Sequence, residues 1–313
     1  MQQLILHIGP PKTGSTSIQT FLTSAQEELL SNGILYPIQG RLAAGETYGF
    51  YKTYNENRRR QRKGPSPAHH LLAWSVRKIN GIDDDRYWFD VIDEIHSVKP
   101  NMTIISSEDF SACSQEQVAQ VKKYLEDFDI KIIIYLRNPF KKMVSSYKHA
   151  IKNHNYSQSF SKFIEERCST NVASHNYHLL VNRWVNEFGK EHVETKLFDK
   201  IVRNIGLEKD LLEILELDQS KFKRYMNPSP RNVASNDNVI NKIRLQNVIE
   251  KSLGEKVIKK RFVQILLTAG KLFLGQSIYK NEDVLLAKMK IEEWYSEFLN
   301  TYVDPEDWAY FDF

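Results

Sequence analysis

The stretch that decides the fold is LILHIGPPKTGSTS, residues 4–17, near the start of the chain. Residues 4–8 form a short, mostly aliphatic run, which is typical of a strand buried in a parallel sheet. Gly9, Pro10 and Pro11 end this strand, because proline has no N–H to donate and fixes its own φ. From Ser15 onward, apolar residues recur at helical spacing. The stretch therefore predicts a strand, a tight loop and a helix.

The loop between this strand and helix has the composition of an anion-binding site. The first N–H groups of a helix have no partner within the helix, and the helix dipole favours negative charge there. Gly14 allows the backbone to approach an anion closely, and Lys12 adds a positive charge. Further donors come from four hydroxyl residues, which are Thr13, Ser15, Thr16 and Ser17. We therefore expect this loop to bind a phosphate or a similar anion.

The position of the lysine distinguishes this loop from a nucleoside-triphosphate loop. In the usual triphosphate-binding pattern, lysine follows the last glycine directly and is itself followed by serine or threonine. Here Lys12 precedes Gly14, and Ser15 occupies the position of the usual lysine. This arrangement argues against a kinase.

Size and composition limit the possible classes of protein. With 313 residues, of which 41% are hydrophobic, the chain can bury one large α/β core. The net charge of +4 suits an anionic ligand but does not indicate a nucleic-acid partner. Two cysteines distant in sequence do not form a disulfide framework. We expect a cytoplasmic protein, since neither a signal peptide nor a transmembrane segment is evident.

A second strand–helix junction follows the strongest strand signal in the chain, IKIIIYLR at residues 130–137. This β-branched run predicts a central strand. Asn138 and Pro139 end the strand, and a helix that contains Ser145 follows. Arg137 at the end of a buried strand needs a partner, because an unpaired buried charge is costly. We expect Arg137 and Ser145 to converge on one anion.

A third strand, predicted over residues 102–110, ends in the two carboxylates of Glu108 and Asp109. Ligands of open parallel sheets bind beyond the carboxyl ends of the strands, so Glu108 should lie where chemistry takes place. For Asp109, we expect capping of a turn rather than a role in the chemistry. A helix predicted over residues 68–79 carries His69 and His70, whose imidazoles titrate near neutral pH.

These elements predict an α/β fold with a P-loop-type parallel sheet flanked by helices. We expect the core over residues 1–238, with residues 41–100 inserted on the acceptor side, and a mostly helical C-terminal extension over 239–313 that packs on the core. The stretch 41–67 mixes aromatic and basic residues, which indicates either a solvated face or a loop that closes over an acceptor. The loop 227–232 either covers a nucleotide or is a simple connection.

Two of these motifs together resemble the sulfotransferase superfamily that uses 3′-phosphoadenosine-5′-phosphosulfate. HIGPPKTGSTSIQ, residues 7–19, is similar to its 5′-phosphosulfate loop, and IIIYLRNPFKKMVSSYKH, residues 132–149, to its 3′-phosphate signature. The run at residues 177–189 is similar to a Tyr-Leu-Trp-Phe-Gly helix of bacterial and carbohydrate sulfotransferases. The resemblance covers residues 3–38 and 102–217.

The resemblance implies a role for each motif residue. Lys12 would contact the bridging oxygen and the sulfonate group of the donor, and Arg137 and Ser145 would hold the 3′-phosphate. The 5′-phosphate would be held by the loop residues Thr13, Gly14, Ser15, Thr16 and Ser17. The reaction would transfer sulfonate by in-line displacement to a hydroxyl of a carbohydrate or glycan and release adenosine 3′,5′-bisphosphate, with no metal required. Asn138 departs from the aspartate that usually precedes the proline.

The attacking hydroxyl needs a general base within hydrogen-bond reach. Glu108 is the first candidate, since related carbohydrate enzymes often use glutamate or histidine, and His69 and His70 are the alternatives. We expect His7 to be an ordinary strand residue with satisfied hydrogen bonds. Two other classes of function stay open: a P-loop kinase of a small metabolite, which would need ATP and magnesium, and a non-catalytic nucleotide- or glycan-binding protein of the same fold.

Overall fold

The computed structural model describes residues 1–42, 65–168, 176–226, 236–253 and 277–312. Five parallel strands form one sheet in the order β2-β3-β1-β4-β5. The strands are β1 (Gln2–His7), β2 (Ile34–Leu35), β3 (Met102–Ser106), β4 (Phe128–Leu136) and β5 (Val193–Leu197). The predicted α/β fold with a parallel sheet flanked by helices is confirmed.

Helices connect the strands and continue after the last of them. They are α1 (Ser15–Ser24), α2 (Gln26–Ser31), α3 (His70–Arg77), α4 (Arg86–Val98), α5 (Gln115–Tyr124), α6 (Pro139–Asn153), α7 (Phe160–Cys168), α8 (Tyr177–Phe188), α9 (Phe198–Asn204), α10 (Leu207–Ile214), α11 (Gln219–Phe222), α12 (Asp237–Leu253) and α13 (Asn281–Tyr302). Short 3₁₀ helices span Glu108–Ala112, Lys190–His192, Lys223–Tyr225 and Pro305–Phe311.

The sheet is covered by helices on both faces. Successive side chains of a strand point in opposite directions, so neighbouring residues of β1 belong to different core clusters. Leu4 and Leu6 of β1 belong to a core cluster that is covered by α3, α4, α5 and α8. Ile5 lies between them in sequence and belongs to a second cluster, on the opposite face, which α1, α2 and α10 cover. The continuous apolar character of residues 4–8 therefore follows from burial on both sides.

Several predicted boundaries differ from those of the structure. The helical pattern that begins at Ser15 is divided at Ala25 into α1 and α2. The strand predicted to be central, at residues 130–137, is the interior strand β4, which pairs with β1 and β5, whereas β1 occupies the middle of the sheet.

The strand predicted to run to residue 110 ends at Ser106. The hydroxyl of Ser107 accepts a hydrogen bond from the N–H of Asp109 and begins the 3₁₀ helix Glu108–Ala112. The side-chain cap offers the backbone an alternative to the sheet, so both carboxylates lie on this turn instead of on the strand.

The C-terminal elements pack against the same cores as the sheet. Phe298 of α13 and Phe311 of the last 3₁₀ helix belong to the cluster that contains Leu4. Ile240 of α12 and Ile291 of α13 pack in a further cluster with α6 and α7. Across the described ranges, no helix is long and apolar enough to cross a membrane.

Candidate active site

The strand order places three functional loops side by side. β1 lies between β3 and β4, so the loop that carries Lys12 is flanked by the chain after β3, with Glu108, and the chain after β4, with Arg137. The chain leaves β1 at the point where the strand order reverses, and the crevice at such a point is the usual ligand site of an open α/β sheet.

The loop after β1 has a backbone conformation that aims N–H groups toward one point. Lys12 and Gly14 both have positive φ, at 75° and 83°. The N–H groups of Ser17 and Ile18 bond the carbonyl oxygen of Gly14 and start α1. The N–H groups of Ser15 and Thr16 come before this first turn and point out of the helix end. This is the arrangement that binds phosphate at a helix N-terminus.

Two glycines of the loop leave no room for a side chain. A Cβ atom built on Gly14 would lie 2.3 Å from Cδ1 of Leu207 and 2.9 Å from Cε2 of Phe198. A Cβ atom on Gly9 would lie 2.9 Å from Nε2 of His7 and 3.1 Å from Oγ1 of Thr13. Packing from α9, α10 and β1 therefore fixes the path of the loop.

The hydroxyl groups of the loop differ in their environments. Thr13 donates its hydroxyl proton to the carbonyl oxygen of Pro10 at 2.6 Å, so its side chain closes the loop and only its backbone N–H is left for an anion. Thr16 is exposed and Ser17 is half-buried. Ser15 is buried, and within the described part of the chain its Oγ has no hydrogen-bond partner. A buried hydroxyl without a partner is costly, and a bound anion would satisfy it.

Arg137 lies directly beside this loop. Its Nη1 donates to the carbonyl oxygen of Lys12 at 3.4 Å, and its guanidinium lies 5.3 Å from the ring centre of Phe198. Its Nε is 3.8 Å from Oδ1 of Asp199 and, among the described residues, makes no hydrogen bond. The hydroxyl of Tyr177 donates to the carbonyl oxygen of Arg137 at 2.8 Å and fixes the backbone there. The two junctions identified from sequence are therefore in contact, and the guanidinium retains a donor for an anion.

Asp199 contacts several residues of the second junction. It is not among the site residues identified from sequence. Its Oδ2 accepts the N–H of Asn138 at 2.9 Å, and its Oδ1 lies 3.8 Å from both Arg137 and Lys141. The available signal is its position, two residues after the end of β5 at the carboxyl edge of the sheet.

Ser145 lies on α6 and is half-buried. Its side chain makes no hydrogen bond to any described residue, so its convergence with Arg137 on one anion stays a prediction.

The ammonium of Lys12 shares its electrostatic environment with three other charges. Burial lowers the pKa of Lys12 below its ordinary value, Glu108 opposes this shift, and the positive charges of Lys152 and Arg137 increase it. Three residues from separate segments of the chain, Glu108, Arg137 and Lys152, thus influence one ammonium group. The cations Lys12, Arg137 and Lys152 outnumber the carboxylates of Glu108 and Asp199, and this composition suits an anionic ligand.

Glu108 is half-buried at the start of the 3₁₀ helix. Its Oε2 accepts a hydrogen bond from Nε2 of Gln19 at 2.9 Å, and its carbonyl oxygen accepts the hydroxyl of Ser111 at 2.7 Å. No described residue bonds Oε1. The carboxylate is therefore held at one oxygen, and the other can accept a proton.

The two candidate histidines have different surroundings. Nδ1 of His69 accepts the N–H of Ser106 at 3.2 Å, while Nε2 donates to the carbonyl oxygen of Pro37 at 3.0 Å. Burial lowers the pKa of His69 to about 3. The lone pair of Nδ1 is used by the N–H of Ser106, so His69 has none left to act as a base. This bonding argues against that role.

His70 is stacked on Trp74, with ring centres 5.3 Å apart. Its Nδ1 lies 2.9 Å from Oδ2 of Asp109 and 3.1 Å from Oγ of Ser107. Asp109 also accepts the indole N–H of Trp74 at 2.7 Å, so it does more than cap a turn. The contact with Asp109 fixes the orientation of the His70 ring, as is usual for a histidine that acts as a base. His70 therefore stays the second candidate.

His7 was expected to be a satisfied strand residue, and this is wrong for one of its nitrogens. Nδ1 is bonded to Oγ of Ser106 at 2.8 Å, but Nε2 is buried with no partner among the described residues. Burial lowers the pKa of His7 to about 4, so the ring is neutral at physiological pH.

Two sequence predictions lie outside the described residues: nearly all of the aromatic and basic stretch at 41–67, and the loop at 227–232. Within the described ranges, no group of three or more His, Cys, Asp or Glu side chains could hold a metal ion.

Comparison with known proteins gives one family match. The model of the sulfotransferase domain family matches residues 2–262, most of the chain. A solved structure that is similar to this chain is a sulfotransferase from Alicyclobacillus acidocaldarius, with 16% identity and a TM-score of 0.46 over 94% of this chain and 99% of that chain. No curated protein matches the sequence.

Proposed function

Because this chain belongs to the sulfotransferase domain family, we propose that it transfers the sulfonate group of 3′-phosphoadenosine-5′-phosphosulfate to a hydroxyl of a carbohydrate or glycan. The family supports sulfonate transfer in general, and the choice of donor and acceptor is our proposal. The observation that carries it is the contact between the two anion-binding junctions, where Nη1 of Arg137 bonds the carbonyl oxygen of Lys12.

The residues present fit a donor with phosphate groups at both ends. Lys12 and the loop residues Thr13, Gly14, Ser15, Thr16 and Ser17 would hold the 5′-phosphosulfate, and Arg137 with Ser145 would hold the 3′-phosphate. The unpartnered Oγ of Ser15 and Nε of Arg137 are the donors that such a ligand would satisfy. When bound, the donor would supply the sulfonate group, and adenosine 3′,5′-bisphosphate would be the product.

Lys12 and the N-terminus of α1 stabilise negative charge at the 5′ end of the site. They do so from fixed positions, because the backbone of the loop is set by the packing around Gly14. Donors that are already in place stabilise the charge that develops during transfer more than the charge of the ground state. The lowered pKa of Lys12 also makes it a better proton donor to a leaving phosphate.

Glu108 would accept the proton of the attacking hydroxyl at Oε1. Gln19 holds only Oε2, and Glu108 follows β3, the strand beside β1, which leads into the Lys12 loop. His70, oriented by Asp109, is the second choice. The cations and hydroxyls of the crevice are ligands for anions, so we propose that no metal is required.

A kinase would need Lys12 beside a triphosphate, yet the lysine comes before Gly14 and has positive φ. A non-catalytic binding protein would not need a base near the lysine, and Glu108 is present there. We also propose a cytoplasmic location, since Cys113 and Cys168 are both free thiols, as is usual in a reducing compartment.

The test is release of adenosine 3′,5′-bisphosphate from the labelled donor in the presence of candidate acceptors. The acceptors are a neutral oligosaccharide, an amino-sugar oligosaccharide, a uronic-acid polysaccharide and 4-nitrophenol, and the sulfated product is identified by mass spectrometry. We expect Lys12→Ala and Glu108→Gln each to lower turnover at least about 100-fold. Lys162→Ala, an exposed lysine of α7, is the control and should not change it.

Wild-type turnover in Lys12→Ala would overturn the proposed role of the loop. Sulfonation of 4-nitrophenol alone would overturn the choice of a carbohydrate acceptor.

A further inference from the structure

A chain of four polar side chains connects the end of β1 to the proposed base. Nδ1 of His7 lies 2.8 Å from Oγ of Ser106, and Nε2 of Gln19 donates both to Ser106, at 3.3 Å, and to Oε2 of Glu108, at 2.9 Å. His7, Ser106 and Gln19 are at most 3% exposed. These side chains come from β1, β3, α1 and the 3₁₀ helix, so the chain of contacts crosses four elements.

Gln19 is an unusual residue for its position. It lies on the side of α1 that faces the sheet, beside the apolar Ile18 and Leu22. Burying an amide there is unfavourable unless its hydrogen bonds are made. The Gln19 Nε2 makes both of its bonds to residues at the carboxyl end of β3, so the contacts of this side chain are directed at the candidate site.

We propose that Gln19 is the positioning residue of Glu108, an inference that rests on the proposed function. The amide fixes Oε2 and thereby turns Oε1 toward the acceptor. A neutral donor suits this task, because a lysine or arginine in its place would form an ion pair and hold the carboxylate more firmly in its charged form. Gln19 orients the base and leaves it able to take up a proton.

Ser106 and His7 connect this position to the phosphosulfate loop. Oγ of Ser106 accepts from Gln19 and contacts His7, which is the last residue of β1. The loop begins two residues later, at Gly9, where a Cβ atom would approach Nε2 of His7. These contacts link Glu108 to the end of β1, the strand that leads into the Lys12 loop. They thereby set the distance between the base and the donor site.

The first measurement compares Gln19→Leu with wild type. We expect kcat to fall about 10-fold, while the KM for the donor and the Kd for adenosine 3′,5′-bisphosphate change less than about 2-fold. The acid limb of the pH–rate profile should move to higher pH, because the carboxylate loses a donor to its charged form. Gln19→Glu, which keeps the size of the side chain, should move this limb further, since two carboxylates repel each other.

The matched control is Gln115→Leu. Gln115 of α5 also donates to a carboxylate, that of Glu187 on α8, and its side chain bonds no residue proposed to bind donor or acceptor. This variant should leave kcat and the pH–rate profile unchanged.

The second measurement is a double-mutant cycle with Glu108→Gln. If Gln19 acts through the Glu108 carboxylate, adding Gln19→Leu to Glu108→Gln should change neither the residual turnover nor the pH profile further. The urea midpoints of the four proteins should also be non-additive, a readout that needs no donor or acceptor.

An equal loss of turnover from Gln19→Leu in both backgrounds, or an acid limb that does not move, would overturn the inference. If Gln19→Leu does not fold, the same outcomes are read from Gln19→Glu. Failure of the wild-type protein to bind adenosine 3′,5′-bisphosphate would instead overturn the proposed function, and the urea cycle would still report on the Gln19–Glu108 contact.

Discussion

Lys12 is the residue on which the proposed mechanism depends most. It has a positive φ, which is uncommon for a residue with a side chain and is tolerated where the surroundings impose it. Here the bond from Thr13 to Pro10 and the bond from Arg137 to the Lys12 carbonyl hold the loop on both sides. The strain at Lys12 is consistent with a backbone shaped around a ligand.

The pH dependence of ligand binding tests the environment of Lys12. Only the charged ammonium attracts a phosphate, so the affinity for adenosine 3′,5′-bisphosphate should fall as pH rises through the lowered pKa of Lys12. Glu108→Gln removes the charge that raises this pKa, and the fall should begin at lower pH. Lys152→Met removes a charge that lowers it, and the fall should begin at higher pH.

Calorimetric titrations between pH 7 and pH 10 measure both shifts. The two variants act as controls for each other, because their expected shifts have opposite signs. Shifts of the same sign in the two variants would contradict this description of the crevice.

The residue types and their neighbours in sequence were enough to identify some of the site residues but not others. Lys12 and Arg137 stand out because each has a charge beside a strand end and a breaker. Gln19 and Asp199 do not, because their roles depend on contacts with residues 89 and 61 positions away. The residue type of His69 suggests a base, and its burial with both nitrogens bonded, which argues against that role, is visible only in the structure.

At the scale of elements, most strands and helices were predictable, and their ends were less so. Strand periodicity gave β1 and β4. The end of β3 depends on a side-chain cap, which periodicity does not report. The sheet order was not predictable, because β1 pairs with a strand about 100 residues away. That order is what brings Glu108, Lys12 and Arg137 together.

Gly14 tests how the elements around the loop determine its conformation. Gly14→Ala introduces a Cβ atom at positive φ that would also collide with Leu207 and Phe198. We expect the free energy of unfolding to fall by about 3 kcal/mol, from the backbone penalty and overpacking together. Binding of adenosine 3′,5′-bisphosphate should be lost.

Gly81→Ala is the matched control. Gly81 has a similar φ of 77°, and its Cβ atom would have no neighbour within 4 Å. Only the backbone penalty applies, so urea denaturation should show the free energy of unfolding lowered by about 1 kcal/mol. Binding of adenosine 3′,5′-bisphosphate should be unchanged. Equal losses in the two variants would show that packing on α9 and α10 does not shape the loop.

At the scale of the whole molecule, we propose that residues 239–313 form an extension that completes the core and supports the second junction. Nδ2 of Asn138 donates to the carbonyl oxygen of Asp312 at 2.7 Å, and the hydroxyl of Tyr295 donates to the carbonyl oxygen of Phe311. The asparagine that departs from the usual aspartate thus has a physical role, because a carboxylate could not donate to Asp312.

Asn138→Asp separates the two functions of this side chain. The carboxylate can still accept the N–H of Lys141 and cap α6, but it has no proton for Asp312. We expect amide hydrogen exchange in residues 305–312 to become about 10-fold faster, equivalent to one lost hydrogen bond. Measured by mass spectrometry, the exchange of α1 should not change.

Asn32→Asp is the control for this variant, since Nδ2 of Asn32 donates to the carbonyl oxygen of Glu28 in the preceding helix instead of to the C-terminal segment. Unchanged exchange at residues 305–312 in Asn138→Asp, or the same acceleration in Asn32→Asp, would contradict the proposed link.

The most direct test of the central claim is isothermal titration calorimetry with adenosine 3′,5′-bisphosphate and, separately, with ATP and magnesium. Two adjacent junctions that hold the two ends of one nucleotide predict one bound bisphosphate per chain, weakened in both Lys12→Ala and Arg137→Ala, and no comparable binding of ATP with magnesium. Binding of ATP–magnesium alone, or bisphosphate binding that neither variant weakens, would contradict the account.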